Sequence, residues 1–103
     1  LTAKACVDKG MEVSIWLYNN AIYLMCEGVT ENVQAAGLPT LEDLVLYLTL
    51  TKSTPIYIGV SCAVGRGMLN EDHSPRINFA AGELAGPATL AELIEKSDTV
   101  ISF

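Results

Sequence analysis

Three observations predict an α/β fold with a mainly parallel sheet. Short apolar runs of strand character alternate along the chain with segments of helical period. The first such run is apolar at both sets of alternating positions, as in strands covered on both faces. The resulting order α-β-α-β-α-β-α-β is uninterrupted by repeats, linkers or low-complexity segments. With 103 residues there is room for one core and not for two, so residues 1–103 are expected to form a single domain.

Taken in order, LTAKACVDKG reads as the last turns of a helix, with Leu1, Ala5 and Cys6 on one face and Gly10 as its stop. In MEVSIWLYNN, Val13, Ile15 and Leu17 alternate with Ser14, Trp16 and Tyr18, which predicts a buried parallel strand. AIYLMC is short enough for one or two helical turns, and Glu27 to Pro39 is polar enough for a surface loop with a turn of helix. Leu41, Leu44, Val45 and Leu48 fall at amphipathic helical spacing behind the capping pair Thr40 and Asp43. Pro55 to Val60 predicts the next strand, and CAVGRGM a short helical turn. A further short strand is expected around Ile77 to Ala80. ATLAELIEKSD predicts the last helix, capped by Thr89 and Glu92 and facing inward with Leu90, Leu93 and Ile94; TVISF predicts a closing strand.

Composition narrows the function. Six Lys and Arg stand against twelve Asp and Glu, for a net charge of −6, which argues against a phosphate-tracking nucleic-acid surface and against anionic membranes. No apolar run is long enough to span a bilayer and no leader pattern opens the chain, so it is read as cytoplasmic. Half the residues are hydrophobic and mean hydropathy is +0.35, more apolar surface than a small monomer easily hides, which predicts a homo-oligomer. Three cysteines without C-x-x-C spacing, and a single histidine, indicate neither a disulfide framework nor a metal site. No phosphate-cradling glycine motif implies a nucleotide, and no cofactor is expected.

The stretch TPIYIGVSCAVGRGM concentrates the remaining chemistry. Ligand chemistry in open α/β sheets gathers beyond the carboxyl ends of the strands, and Cys62 falls there. If a helix starts at this point, its free N–H groups favour a thiolate, and Arg66, four residues on, adds a positive charge on the same face. Ser61 adjoins the thiol, and Gly65 and Gly67 let a backbone or a substrate approach closely. Such a thiolate can carry sulfane sulfur as a persulfide. Position alone supports equally a small buried hydrophobe at a strand end. Cys26 leaves the carboxyl end of another strand and is a candidate resolving thiol; Cys6 reads as core. His73, between Asp72 and Ser74, reads as solvated. Trp16, Tyr18, Tyr23 and Tyr47 read as core or subunit interface, and Glu83, Glu92 and Glu95 as surface.

PIYIGVSCAVGRGM, the polar loop after it and GELAGPATLAELIEKSDTVISF together resemble the DsrE/DsrF-like family, in particular its YchN-type members, whose motif is C-x-x-C-x-x-x-R-G; KGMEVSIWLYNNAIYL resembles the family's second strand and following turn. The resemblance implies a three-layer α/β/α sandwich assembled as trimers or hexamers, and a sulfur relay through a cysteine persulfide, with protein donors or acceptors of sulfur as partners. It also implies a first strand ahead of residue 1, about 20–30 residues with its crossover, whose absence would split the sheet. The motif's first cysteine, which aligns with a sulfur-accepting position of the family, is Gly59 here, so only Cys62 remains and a two-cysteine mechanism within the motif is excluded. Asn20, a candidate pocket residue, stands where relatives often carry an acid.

Overall fold

A computed structural model describes residues 1–103. Strands β1 (Ile15–Leu17), β2 (Ile56–Gly59) and β3 (Glu83–Ala85) lie side by side in that order, all parallel. Ile15, Trp16 and Leu17 stand opposite Ile56, Tyr57 and Ile58, and Tyr57, Ile58 and Gly59 stand opposite Glu83, Leu84 and Ala85. The α/β class and the parallel sheet are therefore as expected. The sheet is not split: β1 pairs directly with β2.

Alternation sorts the two faces of this sheet. Ile56 and Ile58 point into a core with Ile22, Met25, Val45, Ala63, Met68 and Leu69, and Ile15 and Leu17 pack against its edge. Trp16 and Tyr57 occupy the other face, their rings stacked at 6.0 Å between centroids. β1 is half-buried throughout rather than fully covered.

Helix α1 (Thr2–Asp8) buries Val7, while Leu1 and Ala5 are exposed and Cys6 is half-buried. The expected inward face is thus displaced. A polar clamp accounts for this: Asp8 pairs with Lys4 at 2.8 Å and accepts the Tyr47 hydroxyl, and Lys4 Nζ sits 4.8 Å from the centre of the Tyr47 ring.

After β1, a 3₁₀ segment (Asn19–Met25) buries Ile22 and Met25, the same-face pair of a three-residue turn. A second 3₁₀ turn (Thr30–Asn32) supplies the expected loop helix and buries Thr30, whose hydroxyl is bonded to the carbonyls of Leu24 and Cys26. Helix α2 (Leu41–Leu46) starts where the capping pair predicts, with Thr40 Oγ1 accepting the Asp43 N–H at 3.1 Å. It widens into a π turn (Tyr47–Thr51), and Val45 and Leu48 carry its apolar stripe inward.

Four expectations are corrected beyond β2. The strand ends at Gly59, and helix α3 (Val60–Gly65) begins at once, so Cys62 lies inside the first helical turn. Residues 77–80 form no strand, only a bridge between Phe79 and Cys26; the third strand is Glu83–Ala85. Gly82, at φ +101°, makes that placement, because a Cβ there would lie 2.8 Å from Ile58 Cδ1. Helix α4 (Pro87–Lys96) is capped by Gly86 with Pro87 in its first turn, so Thr89 and Glu92 lie inside it and form no capping box; Leu90 and Leu93 are half-buried and Ile94 is exposed. TVISF forms no strand. Its described contact is from Ser102 Oγ to the Tyr18 hydroxyl, 3.3 Å, and a strand without a ladder partner has nothing to hold it.

Candidate functional site

The chain leaves the carboxyl end of β1 through Tyr18, which is extended, and turns sharply at Asn19, whose φ is +52°. Asn is among the few side chains that tolerate this left-handed conformation. The turn aims the Asn19 backbone N–H at Cys62 Sγ, 3.1 Å away. Cys62 is brought there because Gly59 caps α3, which places the thiol three residues into the helix. Six residues make a short dipole, so the Asn19 N–H, not the helix, is the polar contact made directly to the sulfur.

Arg66 closes α3 and folds back along it. Its Nη1 donates to the Cys62 carbonyl at 3.5 Å, and Nε and Nη2 donate to Asn20 Oδ1 at 3.2 and 3.1 Å. Neither ion pair of the chain includes it, as these join Asp8 to Lys4 and Lys52. Cys62 and Arg66 of one segment are therefore joined to Asn19 and Asn20 of the other.

A family model for the DsrE/DsrF-like family matches residues 1–103, the whole chain. The chain belongs to the DsrE/DsrF-like family. Comparison with curated proteins and with solved structures returns no match.

In this DsrE-like chain the other residues singled out from the sequence fall into two groups. Ser61 is exposed beside the thiol, Gly65 faces open space, and Gly67 takes φ +72° where the chain leaves α3. Cys26 belongs to the core: it is buried, its thiol lies 3.9 Å from the Ile22 carbonyl, and burial pushes its pKa up, which weakens it as a nucleophile at neutral pH. No disulfide joins the cysteines. A cavity of ≈ 420 Å³ beside the site is lined by Cys26, Tyr23, Glu27, Arg66, Gly67, Met68, Ile77 and Asn78. Arg66 thus lines the cavity and also donates to the Cys62 carbonyl.

His73 is exposed in its loop, and hydrogen bonds from Ser74 hold the neighbouring Asp72 carboxyl below the ordinary range. No three His, Cys, Asp or Glu side chains stand close enough to hold a metal. No helix is long and apolar enough to cross a membrane. Sequence reasoning missed Asn19, because its contribution is a backbone N–H; its only trace is that Asn accepts a positive φ.

Proposed function

We propose that this DsrE-like protein is a sulfur carrier that holds sulfane sulfur as a persulfide on Cys62. Membership of a family associated with sulfur relay supports the class. The observation that carries the residue assignment is the Asn19 N–H directed at Cys62 Sγ, with Arg66 bonded to the carbonyl of the same cysteine. The backbone N–H supplies a donor to the sulfur itself, and the guanidinium a positive charge held on the same residue.

In the reaction the Cys62 thiolate attacks the outer sulfur of a donor persulfide. The new S–S bond forms as the donor's S–S bond breaks, the donor thiolate leaves with the electron pair, and the persulfide proton stays with the transferred sulfur. Reversal against an acceptor thiol passes the sulfur on. With Gly59 in place of the motif's first cysteine, the acceptor is a thiol of another protein. The carrier works in the cytoplasm as a homo-oligomer, a trimer or hexamer, that covers the exposed Leu50, Ile101 and Phe103.

Incubation of the folded protein with a sulfane-sulfur donor, followed by alkylation and peptide mass spectrometry, tests the reading. The expected result is one added sulfur on the Cys62 peptide, lost in Cys62→Ser without change of oligomer mass. Loading that survives the substitution would refute the site. The cavity beside Arg66 favours a second reading, an oligomeric small-ligand-binding module in which Cys62 is structural. A Cys62 that reacts only on unfolding decides for that module.

A further inference from the structure

We propose that Cys62 selects anionic sulfur compounds, and that Asn20 is the positioning residue that makes it do so, an inference that rests on the sulfur-carrier reading for its biological substrate. Asn20 Oδ1 receives two donors of the Arg66 guanidinium, Nε at 3.2 Å and Nη2 at 3.1 Å, and the Cys62 carbonyl receives Nη1 at 3.5 Å. These bonds fix the plane of the fork and leave some of its N–H donors unused.

The chemistry of the anchor decides the charge. A carboxylate at position 20 would hold the fork equally well and cancel its positive charge, whereas the carboxamide holds it and cancels nothing. The charge is not cancelled elsewhere, since no ion pair of the chain includes Arg66. Two other charges lie nearby. Glu27 lines the same cavity as Arg66 without pairing with it, and Arg76 Nη1 lies 4.0 Å from where a Cβ on Gly67 would be.

This local cation works against the rest of the molecule. At a net charge of −6 most of the surface repels anions, so a small anionic reagent meets a favourable field where Arg66 is held. The compounds favoured are those whose reacting sulfur adjoins an anionic group that leaves with the electron pair, such as sulfur oxyanions and carboxylate-bearing persulfides, over persulfides without such a group.

The test uses two alkylating probes of similar size, one anionic and one neutral, iodoacetate and iodoacetamide, on the folded full chain, with the product on Cys62 read by peptide mass spectrometry. Their rate ratio cancels both the thiolate fraction and the accessibility of the thiol, so a purely structural role of Asn20 does not move it. The wild-type ratio should exceed that of glutathione by roughly three- to tenfold at low salt and approach it at high salt. Asn20→Asp and Arg66→Gln should each bring the ratio down to the glutathione value or below, and Arg66→Lys should retain part of the excess. A wild-type ratio equal to that of glutathione and insensitive to salt overturns the proposal without any variant, and so does a folded Asn20→Asp protein with the wild-type ratio. Persulfide loading is measured separately. A wild-type protein that shows the excess but does not load overturns the carrier reading alone, and one that loads without the excess overturns the selectivity alone.

Discussion

A Cβ built on Gly59 would meet Leu17 O at 3.5 Å, Cys62 Sγ at 3.6 Å and Trp16 Nε1 at 3.7 Å, all ordinary contacts, and its φ of −63° suits any L-residue. A side chain is therefore tolerated where this chain has none. Gly59→Cys is expected to fold and, under mild oxidation, to bridge to Cys62, taking the titratable thiols from four to two and blocking sulfur loading until reduction. Four thiols persisting after oxidation would show that the two sulfurs do not meet. At this scale the sequence is legible where residues meet at fixed spacing: Cys62 and Arg66 lie one helical turn apart, and the Arg66 guanidinium donates to the Cys62 carbonyl. It is silent where chemistry resides in the backbone, as at Asn19, because an N–H is common to nearly every residue and only the fold aims it.

The elements are held by contacts of unequal strength. Helix α1 depends on a surface clamp, in which hydrogen bonds from Lys4 and then Tyr47 hold the Asp8 carboxyl below its ordinary value, while Asp8 raises Lys4. For Asp8 the lowered folded value means a stabilisation present above the unfolded pKa and lost as pH falls through the folded one; for Lys4 the raised value means a stabilisation lost as pH rises through the folded one. Protection of the α1 amides against exchange, taken relative to the unfolded chain at each pH, should therefore fall at both acid and alkaline extremes, by less in high salt because the exposed groups are then screened, and Asp8→Asn should remove the acid limb. Protection in α1 that is as acid-sensitive in Asp8→Asn as in wild type would rule the clamp out. β3 depends on a close approach instead. Gly82→Ala combines a φ of +101° with a Cβ 2.8 Å from Ile58 Cδ1, and should cost about 1–3 kcal/mol in denaturant unfolding. A variant as stable as wild type would mean that β3 can shift away from Ile58.

For the whole molecule, only 14 of 103 residues are buried, and Leu50, Val100, Ile101 and Phe103 lie 63% or more exposed. So much free apolar surface predicts association. Light scattering should give a solution mass several times 11.0 kDa, and Ile101→Ser with Phe103→Ser should lower it; a monomer at micromolar concentration would remove the homo-oligomer from the functional reading.

Sequence periodicity was enough to determine the α/β class, the parallel strands at Ile15–Leu17 and Ile56–Gly59 and the capped helix at Leu41, because burial and capping act through neighbours at fixed spacing. The third strand lay beyond that signal. Ile77 to Ala80 and TVISF have strand composition, yet the first makes a single bridge at Phe79 and the second none, while the less apolar Glu83–Ala85 becomes β3 because Gly82 lets it pass over Ile58. The candidate site divides in the same way. Residue type and spacing were sufficient to name Cys62 and Arg66, but only tertiary structure set Asn19 and Asn20 against them, since contacts between segments more than forty residues apart depend on how β1 and β2 lie side by side, and no local pattern carries that information.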